Sequence, residues 1–273
     1  MKKTTLSLLT ILATAASTQA ALTTNLVAYY DFEDLNNSPD AAAGNNLTEA
    51  GTGSYTGVAG GTVGNAAEFT GTTNDFLNAS LGFGGGGSNQ LGNNFTISAW
   101  YNLDTDASSG ASRFFIMESA VSYDLSYGLR DRVGSNGFND AQTYVNGPDF
   151  VNHDNVYTPG TWQQVLLTYS SDGTNTTLTT YIDGVAQAGV ITETTSALSD
   201  TGIHIGNART GAGTRAFDGK IDEFGAWNRV LTSTEISQVY QNGLNGNALT
   251  VPEPSSTALL GLGGIALILR RRK

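Results

Sequence analysis

The chain is 273 residues long, enough for one large β domain or two small ones, and 34 glycines with only 14% charged residues suit short strands and many turns rather than long helices. No cysteine is present, which excludes disulfides, zinc thiolates and thiol nucleophiles. The formal charge is −11, and between Ala21 and Thr250 there are 7 Lys and Arg against 23 Asp and Glu, a net −16 that repels nucleic acid and anionic lipid and leaves cations, neutral partners or plain solubility as its use.

Residues 1–20 carry Lys2 and Lys3, an apolar run from Leu6 to Ala15 and the small residues of Thr18-Gln19-Ala20, the pattern of a secretory signal cut after Ala20. Leu26 to Phe32 (LVAYYDF) alternates as a first strand, with Leu26, Ala28, Tyr30 and Phe32 on one face. Asp34 to Asn46 is a polar loop rich in oxygen ligands. Asn65 to Thr70 and Asp75 to Asn78 read as short strands, and Gly82 to Gly92 as a flexible glycine-rich connection with no lysine or helix behind it to make a phosphate loop. Phe95 to Leu103 (FTISAWYNL) is the strongest strand, with Phe95, Ile97, Ala99 and Tyr101 on one face and Trp100 on the other.

Arg113 to Met117, Tyr127 to Arg130 and Thr161 to Ser170 follow as strands, the last with Val165, Leu167 and Tyr169 inward. Leu178 to Ile182 and Val185 to Ile191 form a hairpin about Asp183-Gly184, a pair that accepts the positive φ of a type I′ turn. Ile203 to Gly206 is the penultimate strand. Ile221 to Trp227 is a strand covered on both faces, Ile221 and Trp227 against Phe224 and Ala226. Thr232 then caps a helix, Glu235 closes a capping box, Leu231 staples onto Ile236, and Gly243 stops the helix. No fixed period runs through the chain, so solenoids and propellers are disfavoured.

The pattern G-x-I-D-E followed by W-N-R-x-L-[ST]-x-x-E-I at 219–236, with FTISAW at 95–100 and GTWQQV at 160–165, resembles the laminin-G-like, concanavalin A-like jelly-roll domains of bacterial surface proteins. The resemblance implies an all-β fold: a sandwich of two antiparallel sheets with one short C-terminal helix, spanning residues 21–243, with the first and last strands side by side. Residues 244–250 are expected as a linker.

Residues 251–273 begin Val251-Pro252-Glu253-Pro254, continue in an apolar run from Thr257 to Leu269 and end Arg270-Arg271-Arg272-Lys273. The run is short for a full membrane span, and the terminal cations place that end in the cytoplasm. This tail resembles the PEP-CTERM sorting signal, with Pro252, Glu253 and Pro254 as its motif. The resemblance implies transient membrane contact, an exosortase-type sorting enzyme as partner, and delivery to the cell surface or extracellular matrix. A plain tail anchor is the alternative.

Related folds include glycoside hydrolases, which need two carboxylates converging on one cleft. The eight Glu lie at 33, 49, 68, 118, 193, 223, 235 and 253, no two within six residues, and Asp222 and Glu223 as strand neighbours are expected on opposite faces. That leaves a non-catalytic reading, with a polysaccharide hydrolase or lyase as its alternative. His153 and His204 are the available imidazoles; His204 reads as a strand histidine, and no G-x-S-x-G elbow supports a serine nucleophile.

Calcium is the inorganic expectation, because it is held by loop carboxylates, amides and carbonyls. Asp34, Asn36, Asp40 and Asn45 have that character, and Asp222 joins them if the first and last strands pair; the same residues are also ordinary turn formers. For a saccharide, aromatic faces ringed by polar groups are wanted. Tyr123, Tyr127, Arg130, Tyr144, Phe150 and Tyr157 form such a set, interleaved with Asp131, Asn152 and His153, although the same aromatics would also serve to pack the sandwich. Trp100, Trp162 and Trp227 read as core. The expectation is an exported, non-catalytic binding or structural protein of the cell surface or extracellular matrix, with extracellular polysaccharide as its partner and calcium as a cofactor of that binding.

Overall fold

The computed structural model describes residues 22–33, 47–50, 57–71, 76–83, 90–104, 113–120, 124–130, 139–145, 149–189, 191–193, 198, 200–208 and 215–249. In chain order, β1 (Leu26–Tyr30), β2 (Thr48–Ala50), β3 (Gly57–Ala59), β4 (Asn65–Thr70) and β5 (Phe76–Ala79) precede a brief parallel pair, β6 (Gly82–Phe83) and β7 (Gln90–Gly92). Both ends of the glycine-rich connection, expected as a loop, are thus strand. Next come β8 (Asn94–Leu103), β9 (Arg113–Ser119), β10 (Leu125–Arg130), β11 (Asp140–Val145), β12 (Asp149–His153) and β13 (Gln163–Ser171). The chain continues through β14 (Thr176–Ile182), β15 (Val185–Ala186), β16 (Ile191–Glu193), β17 (Ile203–Ile205) and β18 (Asp218–Trp227) to the helix α1 (Ser233–Leu244).

Two antiparallel sheets face each other. The first runs β15-β14-β13-β8-β18-β4-β3, with β1 also on β18 and β16 on β14; the second runs β12-β11-β10-β9-β17-β5-β2. The first and last strands pair, Tyr30 opposite Phe224 and Leu26 opposite Trp227. Between the sheets lies a continuous core that includes Phe95, Ile97, Tyr101, Val165, Leu167, Tyr169, Tyr127, Leu129, Ile205, Ile221 and Phe224.

β18 departs from simple alternation. Its register to β8 shifts between Asp222 and Gly225, and Glu223 stands at φ +50°, a left-handed conformation that costs a branched-free but bulky residue strain. This bulge inserts one residue. Ile221, Phe224 and Ala226 therefore all point into the core, while Trp227 points out. The expected grouping of Ile221 with Trp227 is overturned for that reason.

The outward face of the first sheet buries a second cluster: Leu22, Tyr29, Leu166, Trp227, Leu231, Ile236, Val239 and Leu249. Fully burying an aliphatic or aromatic side chain of this kind contributes about 1.5–3 kcal/mol. α1 covers this cluster. Its N-cap is Thr232 with Glu235 completing the capping box, as expected, and Glu235 also receives both Arg229 guanidinium nitrogens at 2.7 and 2.8 Å. Gly243 does not stop the helix. It lies in the last turn, pressed on Trp100, where a Cβ would meet the indole Nε1 at 2.3 Å, and the helix ends at Asn245. Trp100 itself is buried and stacks on Tyr240 at 5.6 Å and 10°. Trp162 precedes β13 rather than lying in it, is half-buried, and donates to the Gly60 carbonyl at 3.1 Å. The segment after α1, expected as linker, returns to the fold: Leu249 is buried in the outer cluster.

Candidate functional site

The register of the second sheet sets one residue from each of its seven strands into a single outward row. Thr48 stands opposite Asn78, Asn78 opposite His204, His204 opposite Glu118, Glu118 opposite Ser126, Ser126 opposite Tyr144, and Tyr144 opposite Phe150. Their neighbours Leu77, Ile205, Met117, Tyr127 and Val145 face the core, so the row faces away from it. At about 4.8 Å per strand the row spans about 29 Å. Its middle is closed, with Glu118, Ser126, His204 and Tyr144 all buried; its β12 end is open, where Phe150 is 46% exposed and Asn152 half-buried.

Each group is held. The His204 ring stacks on Phe76 at 3.8 Å, and its Nδ1 donates to the Ala208 carbonyl at 3.1 Å. Burial pushes its pKa below the ordinary value, so near pH 7 it is neutral and Nε2 is an acceptor. Ser126 Oγ is buried without a hydrogen-bond partner among the described residues. Tyr144 packs on Phe150 at 5.4 Å and donates to Gln142 Oε1 at 2.5 Å, and Gln142 Nε2 donates to Asn152 Oδ1 at 2.5 Å.

The sequence-predicted aromatic set is divided by this geometry. Tyr144 and Phe150 meet on the outer face. Tyr127 and Tyr157 are in the core between the sheets, because alternation in β10 turns Tyr127 inward, where its hydroxyl lies 3.4 Å from that of Tyr101. Burial raises the Tyr127 pKa well above its ordinary value, which suits a packed phenol rather than a surface contact. Arg130 closes β10 opposite Asp140. Tyr123 lies outside the described residues. His153 also turns inward, and with Thr143 it forms a polar bridge to Thr180 of the first sheet, at 3.0 and 2.8 Å; burial lowers its pKa to about 4. Asn78, Glu118, Ser126 and His204 were not grouped by sequence reasoning, since only the pairing of four separate strands joins them.

A second constellation sits on the outer face of the first sheet. The bulge overturns the expectation that Asp222 and Glu223 point apart: both are buried on this face. Asp222 accepts from Thr62 Oγ1 at 2.9 Å, Val63 N–H at 3.1 Å and Glu223 N–H at 2.8 Å. Glu223 accepts from Tyr29 Oη at 2.5 Å and Leu249 N–H at 3.2 Å. Burial is the main cause that raises Asp222 to about 7 and Glu223 to about 8, with mutual repulsion adding to the second.

As a calcium ligand, Asp222 is already engaged, since three neutral donors occupy most of a carboxylate's roughly four lone-pair positions. Among the described residues no group of three or more His, Asp or Glu is arranged to hold a metal ion. Asp34, Asn36, Asp40 and Asn45 lie outside the described residues. The chain does enter that loop beside this corner, because Glu33 accepts from Asn65 N–H at 3.0 Å in the turn that supplies Thr62 and Val63.

Pro252, Glu253 and Pro254 and the apolar tail also lie outside the described residues, and among those described no helix is long and apolar enough to cross a membrane. In sequence, residues 78–237 match the concanavalin A-like lectin/glucanases superfamily, and residues 250–273 match the PEP-CTERM protein-sorting motif. No curated protein matches the chain.

Among solved structures, domain 4 of the extracellular GH43 arabinanase AbnA from Geobacillus stearothermophilus, in complex with arabinotriose, is similar at 18% identity and TM-score 0.55, covering 80% of this chain and 98% of that one. The botulinum neurotoxin serotype D ligand binding domain in complex with N-acetylneuraminic acid is similar at 14% identity and TM-score 0.59, covering 82% of this chain and 52% of that one. Trypanosoma rangeli sialidase in complex with sialic acid is similar at 14% identity and TM-score 0.58, covering 80% of this chain and 33% of that one. At these identities the likeness establishes the fold.

Proposed function

This chain belongs to the concanavalin A-like lectin/glucanases superfamily, and on that premise we propose that it is a non-catalytic polysaccharide-binding protein of the bacterial cell surface or extracellular matrix. Its sorting motif marks it for export and for an exosortase-type enzyme at the membrane. The observation that carries the binding role is the open end of the outer row, where the half-exposed Phe150 ring rests on Tyr144 beside the buried Gln142 amide and the half-buried Asn152 amide. An apolar face edged by fixed hydrogen-bonding groups is what a saccharide ring requires. The arabinotriose complex of the AbnA domain supports a sugar-binding use of the same fold.

Leu22 and Leu249, the first and last described residues, both pack in the outer cluster of the first sheet, on the side opposite Phe150. The carboxylates favour binding over hydrolysis. Glu118 and Asp140, which the register sets on the second sheet's outer face, have Cα atoms about 16 Å apart by strand spacing and rise, against about 5–9.5 Å between the carboxyl groups of glycoside hydrolases. Asp222 and Glu223 are adjacent but buried.

Calcium belongs to the proposal as a stabiliser of the corner where the Asp34 loop begins, with Asp34, Asn36, Asp40 and Asn45 as its oxygen donors and Asp222, whose lone pairs are largely taken, not among them. Its support is the presence there of two buried carboxylates whose partners are all neutral donors. Affinity electrophoresis of the purified protein through gels containing extracellular polysaccharides, with calcium and with EDTA, tests the reading. Retarded migration on at least one polymer is expected. No retention on any polymer removes the binding role, and sustained release of reducing ends or unsaturated products replaces it with a hydrolase or lyase.

A further inference from the structure

We infer that Asn152 is the hydrogen-bond donor that orients an uncharged saccharide on the Phe150 ring, and that Gln142 and Tyr144 are positioning residues that fix its amide. The inference deepens the polysaccharide-binding reading and rests on it. Asn152 and Phe150 are two apart on β12, so they share the outer face about 6.6 Å apart along the strand. Behind them runs a shielded relay: Tyr144, 5% exposed, donates to Gln142 Oε1, and Gln142, 2% exposed, donates through Nε2 to Asn152 Oδ1.

With Oδ1 committed to Gln142, the Nδ2 hydrogens of Asn152 make no hydrogen bond among the described residues. They are left beside the exposed ring as a donor of fixed direction. A sugar seated flat on Phe150 carries its ring and hydroxyl oxygens at its rim, within reach of such a donor. Preorganisation by the relay spares the amide the loss of rotamer freedom on binding.

The charge pattern selects the class of sugar. Polymers bearing carboxylate or sulfate meet a body of net −16 between Ala21 and Thr250. On this face the strand register sets Arg130 directly opposite Asp140, a position whose two formal charges cancel. Nothing else in the described row favours an anion, whose middle contributes the Glu118 carboxylate.

The test uses the full chain purified in mild detergent and native gels cast with arabinan, xylan or mannan as neutral polymers and polygalacturonate as the anionic one, at low and physiological salt. Retention on a neutral polymer and none on polygalacturonate is expected. Phe150→Ala and Asn152→Asp, the latter placing an acceptor where the donor stood, each weaken retention about tenfold, Tyr144→Phe weakens it by a smaller factor, and Phe150→Trp preserves it. The Phe150 and Asn152 variants are expected to keep the wild-type unfolding midpoint within a few degrees, because both residues lie at the open edge, whereas Tyr144→Phe removes the donor of the buried Gln142 Oε1 and lowers the midpoint. Neutral-polymer retention that is unchanged in Phe150→Ala and Asn152→Asp, or retention on polygalacturonate alone, overturns the inference while leaving polysaccharide binding intact. Absence of retention on every polymer overturns both.

Discussion

The carboxylates of the β18 bulge should make this protein less stable as the pH rises, and replacing Glu223 with Gln should reduce that trend to the part that Asp222 carries. Burial raises Glu223 from 4.5 to about 8, so across that window the folded state holds a proton that the unfolded chain has released. A raised acid contributes stability that is complete below its unfolded value and is lost as the pH climbs through the folded one. At about 1.4 kcal/mol per pH unit the difference integrates to about 5 kcal/mol for Glu223, and Asp222, raised to about 7, acts in the same direction.

Glu223→Gln removes the titration and introduces a different cost. Its carbonyl oxygen can still accept from Tyr29 Oη, but its NH2 meets the Leu249 N–H that Glu223 now satisfies. A buried unmatched donor costs about 1–3 kcal/mol. The variant is therefore less stable than the wild type at pH 5 and more stable at pH 9. Urea unfolding of the Ala21–Thr250 fragment in EDTA at pH 5, 7 and 9 measures this, and a loss of about 5 kcal/mol corresponds to a midpoint change on the order of 2 M. Wild-type stability that is flat or rises from pH 5 to 9, or a Glu223→Gln curve parallel to it, would refute the reasoning.

Calcium should offset the same cost: the wild-type unfolding temperature is expected to be higher in calcium than in EDTA, with about 2.7 kcal/mol gained at a hundredfold excess over Kd, whereas identical temperatures would leave the Asp34 loop oxygens as turn formers. Gly243→Ala inverts the usual helix rule. Alanine is ordinarily about 1 kcal/mol better than glycine inside a helix, but here its Cβ meets Trp100 Nε1 at 2.3 Å, so thermal unfolding should show destabilisation, and a stabilised variant contradicts the packing of α1 on Trp100. Thr232→Ala should cost about 1 kcal/mol through loss of the N-cap. Glu235, lowered to about 2 chiefly by the Arg229 hydrogen bonds, contributes stability that is present above its usual 4.5 and is lost as the pH falls toward 2; Arg229→Ala should flatten that acid limb in urea titrations.

What was legible in the sequence was local. Thr232 and Glu235 specify the helix start because both halves of the capping box lie within one turn, and FTISAW names its strand by alternation alone; LVAYYDF alternates as expected only from Ala28, because a register shift between Leu26 and Ala28 sends Val27 to the core and Leu26 to the outer cluster. β11 and β12 were passed over as strands, because DAQTYV and DFVNH carry polar groups on both faces: Gln142, Tyr144 and Asn152 outward, Thr143 and His153 bridging inward to Thr180. The same polarity hid the site. Tyr127 and Tyr144 look alike in sequence, and only their position in the alternation sends one to the core and the other to Phe150. The bulge was illegible because its positive φ falls on Glu223 rather than on a glycine, and a single inserted residue there reverses which neighbours share a face. The row from Thr48 to Phe150 exists only through pairing of strands far apart in the chain.

The most direct measurement is retention of the wild-type protein and of Phe150→Ala on a panel of extracellular polysaccharides in affinity electrophoresis, with and without calcium. A polysaccharide-binding protein that uses the outer face of the second sheet gives wild-type retention on at least one neutral polymer and about tenfold weaker retention in the variant. Free migration of the wild type on every polymer, in calcium and in EDTA alike, contradicts it.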